Sequence, residues 1–411
     1  MNTPVFSVII PVFNKWELTR DCLASLREHT SGCDFELIVV DNASTDATAT
    51  ELAPLGETLF GEAFTRIRNA QNENFGPACN RGADAATAPL LFFLNNDTLL
   101  TPGWHTPLLD ALTNDHTLGA VGPLLVYPDN TVQHLGVAYS AAGFRHVYSG
   151  ISAEHPLARK KRRLQAITAA ALMLPKALFF EAGGFYPEYR NGFEDVELCV
   201  RLGQLGKKLT CVAQSRIIHL ESQSSGRSSG EQHNAELLSR RCGQLIYPDL
   251  HHHGLRDGFQ VVINDLLGTS LLVTPKNDAA LREKAQGMTV REMTQLLGEN
   301  PYWLWGTEHL AEALEQEGDY TQAFLQRSAA ASMLPTRACR QRQLQTALLT
   351  GNTALVEKSR EQLDILLARE KDPKLEDKRL DKLISLAIRC NDKLLQGLYE
   401  AKRREIRALF A

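Results

Sequence analysis

One short apolar run that ends in polar residues limits the folds open to this chain more than any other stretch. Leu90–Leu94 is wholly apolar, and Asn95, Asn96 and Asp97 follow it directly. Such a run is typical of a strand buried on both faces of a sheet. Ligands of open α/β sheets bind at the carboxyl ends of the strands, and the Asp97 carboxylate suits a hard divalent cation there. A plain Asn/Asp turn after the strand is the alternative interpretation.

The residues before this run predict alternating strands and helices. Strands are predicted at Val5–Val12, Phe35–Val40 and Thr65–Asn69. Helices are predicted at Trp16–His29 and Ala47–Leu55, and a third helix starts within 72–82 and runs to Ala86. This order is typical of a right-handed parallel α/β arrangement.

Asp41 and Asp97 each follow a buried strand in this arrangement, so both should lie along one edge of the sheet. The Asp41 carboxylate could accept the imide N–H of uracil or thymine. It could equally cap the next helix, a role that Ser44 or Asp46 can also fill.

Four motifs occur in order, at Val8–Asn14, Val39–Asp46, Asn74–Gly82 and Leu94–Asp97. Together they resemble glycosyltransferase family 2, and most closely its rhamnosyltransferase-like branch, over residues 1–230. The resemblance implies a GT-A fold, which is a Rossmann-like mixed sheet of the α/β class, and a nucleotide-diphosphate sugar as donor.

The same resemblance implies roles for individual donor-binding residues. It implies base contacts from Pro11, Phe13 and Asp41, and ribose or diphosphate contacts near Asn80 and Arg81.

The resemblance also implies a divalent cation, Mn²⁺ or Mg²⁺. Asn95, Asn96 and Asp97 match the metal motif of the family, usually Asp-x-Asp, although Asn95 replaces the first acid and lowers the negative charge. His219 matches a position that coordinates the metal or the diphosphate; otherwise it is an ordinary histidine after a strand. Arg227, in a Ser- and Gly-rich segment, is expected to reach the phosphates.

Glu194 and Asp195 begin a helical pattern. Carboxylates are favoured at a helix N-terminus by the helix dipole, which is a sufficient structural reason for the pair. Inverting sugar transfer needs a carboxylate to take the proton of the attacking hydroxyl. The resemblance implies that Asp195 is this base and that Glu194 orients the acceptor or the loop.

A basic cluster, Arg159–Arg163, is consistent with a solvated loop or with contact to an anionic acceptor or acidic lipid headgroups. Residues 133–150 are rich in glycine and tyrosine towards their end and predict irregular structure. The segment Leu164–Pro175 is small and apolar and predicts a core strand that passes close to the sugar. Lys208–Val212 and Arg216–His219 predict the final strands.

The sequence changes character after the catalytic motifs. We therefore predict two domains, with the glycosyltransferase domain at 1–240 and an all-α domain at 241–411. The spacing of Gly318, Tyr320, Ala323, Ala330 and Pro335 resembles a tetratricopeptide repeat. A plain helical bundle is the alternative, and either structure suits binding of an acceptor, a partner protein or a second copy.

Composition narrows the class and the location. A net charge of −4 gives no support for nucleic-acid binding. No apolar run approaches the ~18–20 residues of a membrane span, and residues 1–4 lack the layout of a signal peptide. The eight cysteines form no Cys-x-x-Cys pair. These features predict a cytoplasmic protein and leave a peripheral membrane contact open.

The combined hypothesis is an inverting hexosyl- or rhamnosyltransferase. It would move a sugar from a UDP- or dTDP-sugar to a hydroxyl of a glycan, lipid-linked glycan or glycoprotein. The alternative is a non-catalytic adaptor that uses its helices to bind proteins and whose decayed transferase domain is nucleotide-binding or binds nothing. Asn95 supports the adaptor hypothesis. The retained acidic residues and histidine oppose it, namely Asp41, Asp97, Glu194, Asp195 and His219.

Overall fold

A computed structural model describes residues 3–141, 143–220 and 230–409. The chain divides into two compact units. The first consists of Met1–Ala138 and His146–Ile246, and the second of Tyr139–Arg145 and Tyr247–Ala411.

The strands alternate with helices at first and then cluster. In the described ranges the strands are β1 (Phe6–Val12), β2 (Phe35–Asp41), β3 (Phe64–Arg68), β4 (Leu90–Leu94), β5 (Thr98–Leu100), β6 (Leu118–Val126), β7 (Val132–His134), β8 (Val137–Ser140), β9 (Gly143–His146), β10 (Ala171–Pro175), β11 (Lys208–His219), β12 (Gln260–Ile263) and β13 (Thr269–Leu272).

The helices of the first unit mostly follow strands. They are α1 (Trp16–His29), α2 (Thr48–Phe60), α3 (Phe75–Ala85), α4 (Thr106–Asn114), α5 (Lys176–Glu181), α6 (Glu194–Gln204) and α7 (Glu231–Cys242).

The first unit is built on one mixed sheet, in the order β3-β2-β1-β4-β10-β6-β11-β5, with β7 paired to β6. Strands β3, β2, β1 and β4 are parallel, whereas β10 runs antiparallel to both β4 and β6. The predicted GT-A type of mixed α/β sheet is confirmed. Because β1, β2 and β4 are parallel, the loops that follow them share one edge of the sheet.

Apolar runs explain why these strands are central. Phe92 and Leu94 of β4 are fully buried, in one core with Leu23 of α1 and Leu108 of α4. Helix α3 packs so closely that a Cβ on Gly82 would lie 2.5 Å from Cγ2 of Ile9.

Three sequence predictions for this unit need correction. Residues 133–150 were predicted to be irregular but include β7, β8 and β9. The predicted strand Leu164–Pro175 is a strand only in β10, and its first half instead meets other loops near the site. The two predicted final strands are one long strand, β11, whose register shifts between Val212 and Arg216.

The second unit is largely helical. Its helices are α8 (Leu250–Arg256), α9 (Pro275–Lys284), α10 (Val290–Glu299), α11 (Leu304–Gln316), α12 (Tyr320–Met333), α13 (Arg337–Leu349), α14 (Thr353–Glu370), α15 (Pro373–Arg389) and α16 (Lys393–Leu409).

The prediction of an all-α domain is wrong in one respect, because β12 and β13 form an antiparallel hairpin. The β-branched pair Val261 and Val262 was the available signal. Gly318 has a φ of +81° between α11 and α12, and Ala323 and Ala330 are fully buried. The helical content is thus observed, while the tetratricopeptide assignment stays a prediction.

No helix within the described ranges combines the length and the apolarity needed to cross a bilayer.

Candidate functional site

The loops after β1 and β2 are joined by side chains. Oδ1 of Asn14 accepts hydrogen bonds from the backbone N–H groups of Thr45 (2.8 Å) and Asp46 (3.3 Å). The Ser44 hydroxyl accepts one from the N–H of Asn14 (2.9 Å). Asn14 adopts a positive φ of 57°, which asparagine tolerates better than most residues. These bonds fix the loop that carries the predicted base contacts.

Two of those predicted contacts lie at the end of β1. Phe13 is 48% exposed, which is unusual for a large aromatic residue next to a buried strand. Pro11 is half-buried and pairs with Val40 of β2. An exposed aromatic ring at this sheet edge can stack on a planar base.

Asp41 is fully buried at the end of β2, and both of its oxygens already accept hydrogen bonds. Oδ1 accepts from the N–H of Ser44 (2.8 Å), and Oδ2 accepts from Arg66 (2.6 Å) and Arg68 (2.8 Å). Burial opposes ionisation, but the bonds from Arg66 and Ser44 and the charge of Arg68 outweigh it and lower the pKa of Asp41. A base contact would have to use the remaining lone pair of Oδ1 or displace an arginine.

The residues predicted to touch ribose or diphosphate have structural partners. The Asn80 amide donates to the carbonyl of Phe185 (2.7 Å) and accepts from its N–H (2.9 Å). Arg81 donates to Oδ1 of Asn69 (2.5 Å), whose amide donates to Asn42 (2.7 Å). Asn80 therefore joins α3 to the loop before α6 and keeps only one N–H and one lone pair for a ligand.

The metal motif meets the end of β11. Asp97 Oδ1 lies 3.1 Å from Nε2 of His219, and Nδ2 of Asn95 lies 3.5 Å from the same nitrogen. Asn96 instead donates to the hydroxyl of Thr19 (2.9 Å). The structure thus brings Asp97, His219 and Asn95 together and directs Asn96 toward α1.

Gln133 of β7 fixes the state of His219. Its amide nitrogen donates to the His219 carbonyl (3.0 Å), so its amide oxygen faces Nδ1 of the same ring at 2.6 Å. Nδ1 must therefore carry the proton. In a neutral ring Nε2 then carries a lone pair, and this lone pair faces an acceptor oxygen of Asp97. Two acceptors 3.1 Å apart need a proton or a cation between them.

This arrangement fits a divalent cation. An imidazole that binds a metal usually donates its other ring N–H to a fixed acceptor, and Gln133 supplies that acceptor. His219 and Gln133 are nearly fully buried. If Asp97 and His219 held an ion, further positions would stay open to other oxygen ligands, as Mg²⁺ and similar ions commonly use.

Asp195 lies in the first turn of α6. Its Oδ2 accepts from the N–H of Ala169 (3.0 Å), and its Oδ1 accepts from the N–H of Val196 (2.8 Å). Phe193, directly before the helix, has a positive φ of 71°. Glu194 is buried and accepts from the N–H of Gly192 (2.6 Å). Glu194 thus holds the loop, whereas Asp195 is less buried.

A short segment joins Asp195 to the metal motif. The carbonyl of Ala170 accepts from the N–H of Asn95 (2.9 Å), and the preceding residue, Ala169, donates to Asp195. The N–H of Thr168 donates to His134, the neighbour of Gln133 in β7. The candidate base and the candidate metal ligands therefore share one rigid part of the sheet edge.

Sequence reasoning missed Gln133, Arg66, Arg68 and the backbone of Ala169. Two arginines on alternate positions of β3 opposite a buried aspartate were a detectable signal. Arg227, the last predicted donor contact, lies outside the described residues.

Several known proteins are similar to this chain in sequence. Residues 7–145 match the family described as "Glycosyl transferase family 2". The chain is 32% identical over 229 residues to the "O-antigen biosynthesis protein RfbC" of Myxococcus xanthus. This match covers 54% of the present chain and 18% of that protein. It is 26% identical over 247 residues to an "N-acetylglucosaminyl-diphospho-decaprenol L-rhamnosyltransferase" of Mycobacterium tuberculosis, covering 55% of this chain and 79% of that protein.

A solved structure of GalNAc-T7 with UDP, GalNAc and Mn²⁺ is also similar, with a TM-score of 0.48 and 17% identity. The similarity covers 77% of this chain and 58% of that one. The chain spans about a fifth of the length of the first relative, at 18%.

Proposed function

We propose, from the premise that this chain carries a family 2 glycosyltransferase domain matched at residues 7–145, that it is an inverting glycosyltransferase. The donor is a nucleotide-diphosphate sugar, UDP- or dTDP-linked, and the acceptor is a hydroxyl of a glycan, lipid-linked glycan or glycoprotein. The observation that carries this proposal is the pairing of Asp97 with a His219 of fixed tautomer, next to the segment that holds Asp195.

The nucleotide is the part of the donor that this site recognises best. The exposed ring of Phe13 suits stacking on the base, and Asp41 suits the imide N–H of uracil or thymine. Because Arg66 and Arg68 already bind Oδ2 of Asp41, the base contact would use Oδ1.

Asp97 and His219 would hold the divalent cation, Mn²⁺ or Mg²⁺. Bound there, the ion would neutralise charge on the departing diphosphate. Gln133 keeps the proton of His219 on Nδ1 and so leaves Nε2 available. Arg227 remains a proposed phosphate contact.

Asp195 would act as the general base. Two backbone N–H groups orient its carboxylate, and the N-terminus of α6 stabilises negative charge. Asp195 takes the proton of the acceptor hydroxyl while the oxygen of that hydroxyl forms a bond to the anomeric carbon. The bond from that carbon to the phosphate oxygen breaks, its electron pair leaves with the nucleoside diphosphate, and the configuration inverts.

We further propose that residues 1–240 carry the chemistry. Residues 241–411, with a tetratricopeptide-like arrangement, would bind the acceptor, a partner protein or a second copy. The proposed location is the cytoplasm, which accords with eight free cysteines. Peripheral membrane contact would use the exposed part of Arg159–Arg163.

Donor hydrolysis tests this function without a known acceptor. Wild type, Asp97→Ala and Asp129→Ala would be assayed on UDP-, dTDP- and GDP-sugars with Mn²⁺ or EDTA. Asp129 is the control because it is an exposed turn aspartate whose side chain, among the described residues, accepts hydrogen bonds from Thr131. We expect turnover of one UDP- or dTDP-sugar, lost with EDTA and in Asp97→Ala but kept in Asp129→Ala.

Asp195→Asn should lower transfer by about 10²–10⁴-fold, the usual contribution of a general base. Donor binding by calorimetry should be unchanged in that variant. If wild type neither turned over nor bound any of these nucleotides, the adaptor hypothesis would replace this one.

A further inference from the structure

Two adjacent histidines in the second unit converge on one carboxylate oxygen. Nε2 of His251 lies 2.6 Å from Oδ2 of Asp392, and Nε2 of His252 lies 3.0 Å from the same atom. The three donor atoms all lie within 4.8 Å of one another. In sequence the triplet His251–His253 indicated no more than surface or core histidines.

This convergence is unusual for helix neighbours. Residues i and i+1 of a helix normally point in different directions. Here the rings of His251 and His252 are 4.0 Å apart, with 37° between their planes. Both side chains have turned toward Asp392, which is 141 residues from His251 in the chain.

Asp392 is held in place independently of the histidines. Its Oδ1 accepts from the N–H of Leu395 (2.9 Å) and so caps the start of α16. Its own N–H donates to the carbonyl of Ala387 (2.8 Å), and its carbonyl accepts from Gln396 (3.0 Å). A carboxylate that is oriented by further hydrogen bonds is typical of metal ligands.

The start of α8 is fixed in the same way. Asp249 accepts from the N–H of Tyr139 through Oδ1 (2.8 Å) and donates its own N–H to the Tyr139 carbonyl (3.0 Å). The core beneath α16 includes Ile384 and Leu395, with Ile263 of the hairpin. The ligand atoms therefore rest on ordered elements rather than on long loops.

The hydrogen bonds to Asp392 fix the tautomer of both rings. If Oδ2 of Asp392 accepts a hydrogen bond from both rings, each Nε2 must carry a proton. In neutral rings each Nδ1 then carries a lone pair. Nδ1 of His251 is buried, and no hydrogen-bond partner lies near it among the described residues. The nitrogens that face Asp392 are therefore the two Nε2 atoms, which would release their protons to an ion that replaces them.

We propose that His251, His252 and Asp392 form a second metal site, which binds a Zn²⁺-class divalent ion through two imidazole nitrogens and one carboxylate oxygen. Water would fill the remaining position. Nitrogen-rich sets of this kind favour Zn²⁺, in contrast to the oxygen-rich site expected around a diphosphate. The side chain of His252 is 45% exposed and gives the ion a route from solvent. The bound ion would tie α8 to the start of α16.

Metal titration of the full-length protein tests this site. Protein stripped with EDTA would be titrated with Zn²⁺ by calorimetry and with Co²⁺ by visible absorption, since tetrahedral Co²⁺ absorbs strongly. All titrations would be done in an Asp97→Ala background to remove the other candidate cation site. The variants are His252→Ala, at an exposed position, and Asp392→Asn, because asparagine also caps helices well.

Asp372→Asn is the matched control. Asp372 caps α15 by accepting from the N–H of Leu375, just as Asp392 caps α16. We expect one equivalent of Zn²⁺ and a tetrahedral Co²⁺ spectrum, both kept in Asp372→Asn. Loss of an outer-shell partner alone weakens metal binding ~10–100-fold, so either ligand variant should lose at least about 100-fold.

Equal Zn²⁺ affinity in the background protein and in both folded ligand variants, checked by circular dichroism, would overturn the proposal. So would the absence of Zn²⁺ binding in the background protein. Because the readout is metal binding and not sugar transfer, neither result bears on the proposed transferase activity.

Discussion

Gln133 offers a sharp test of the candidate metal site, because it contacts His219, a proposed ligand, and is not itself a proposed ligand of the ion. Replacing Gln133 with Met keeps the length of the side chain and removes both hydrogen bonds to His219, of 2.6 and 3.0 Å. The ring is then free to rotate or to move its proton to Nε2. Loss of an outer-shell partner typically weakens metal affinity by ~10–100-fold, which corresponds to ~1.4–2.8 kcal/mol.

The same change also affects folding. Gln133 and His219 are nearly fully buried, so the His219 carbonyl and Nδ1–H lose their partners in a dry environment. An unsatisfied buried polar group costs about 1–3 kcal/mol. Because two such groups are left, urea unfolding should show a loss of about 2–6 kcal/mol for Gln133→Met. The metal measurements must be made well below the unfolding midpoint.

The assay is Mn²⁺ binding followed by electron paramagnetic resonance in the presence of the nucleoside diphosphate, alongside Mn²⁺ dependence of donor hydrolysis. Gln133→Met should raise the apparent Mn²⁺ dissociation constant and keep most of its turnover at saturating Mn²⁺. Gln133→Glu should recover much of the affinity, because a carboxylate still accepts from Nδ1–H. The reasoning fails if folded Gln133→Met binds Mn²⁺ within about twofold of wild type, against the 10–100-fold loss expected.

Two predictions concern stability. Gly82→Ala should lower the free energy of unfolding by ~1–3 kcal/mol, despite the better helix propensity of alanine, because its Cβ would lie 2.5 Å from Ile9. Gly203→Ala in α6 is the control, since nothing lies within 4 Å of its Cβ position, and equal urea midpoints would contradict the argument. Asp41→Asn should lower stability at pH 7 and flatten its acid dependence. The lowered pKa of Asp41, set by Arg66, Ser44 and Arg68 against burial, stabilises the fold above the unfolded pKa of ~3.9 and is lost as the pH falls below it. Parallel unfolding curves for wild type and Asp41→Asn between pH 7 and 3 would rule this out.

Much of the fold followed from local patterns. Helix α1 has the predicted bounds, Trp16–His29, because apolar residues recur at helical spacing with charged residues between them. Strand β4 was equally clear as an apolar run. The short strands β7 to β9 and the hairpin β12–β13 were missed, because strands of three or four residues carry too few positions for a period to be recognised.

The site was predictable to the extent that it uses residues with obvious chemistry. Asp97 and Asp195 were predicted because carboxylates at strand and helix ends stand out in a sequence and match the motifs of the family that the chain resembles. His219 was predicted from that resemblance, and the roles of all three residues stay predictions. Gln133 was not, because a glutamine has no such signature and its partner His219 is 86 residues away. The Ala169 N–H was equally hidden, since any residue supplies a backbone donor and only the fold aims it at Asp195.

The motif Asn74–Gly82 shows why a motif alone does not separate binding from architecture. Asn80 spends two of its hydrogen bonds on Phe185, and Gly82 is required by the contact of α3 with Ile9. Both needs would select the same residues whether or not a sugar nucleotide ever touched them. Their effect on the proposed chemistry would nonetheless be direct, because they hold the sheet-edge loops in one geometry before a donor arrives. An electrostatic site is most effective when its groups need no reorganisation during the reaction, and in the proposed site the binding motif and the scaffold would be the same residues.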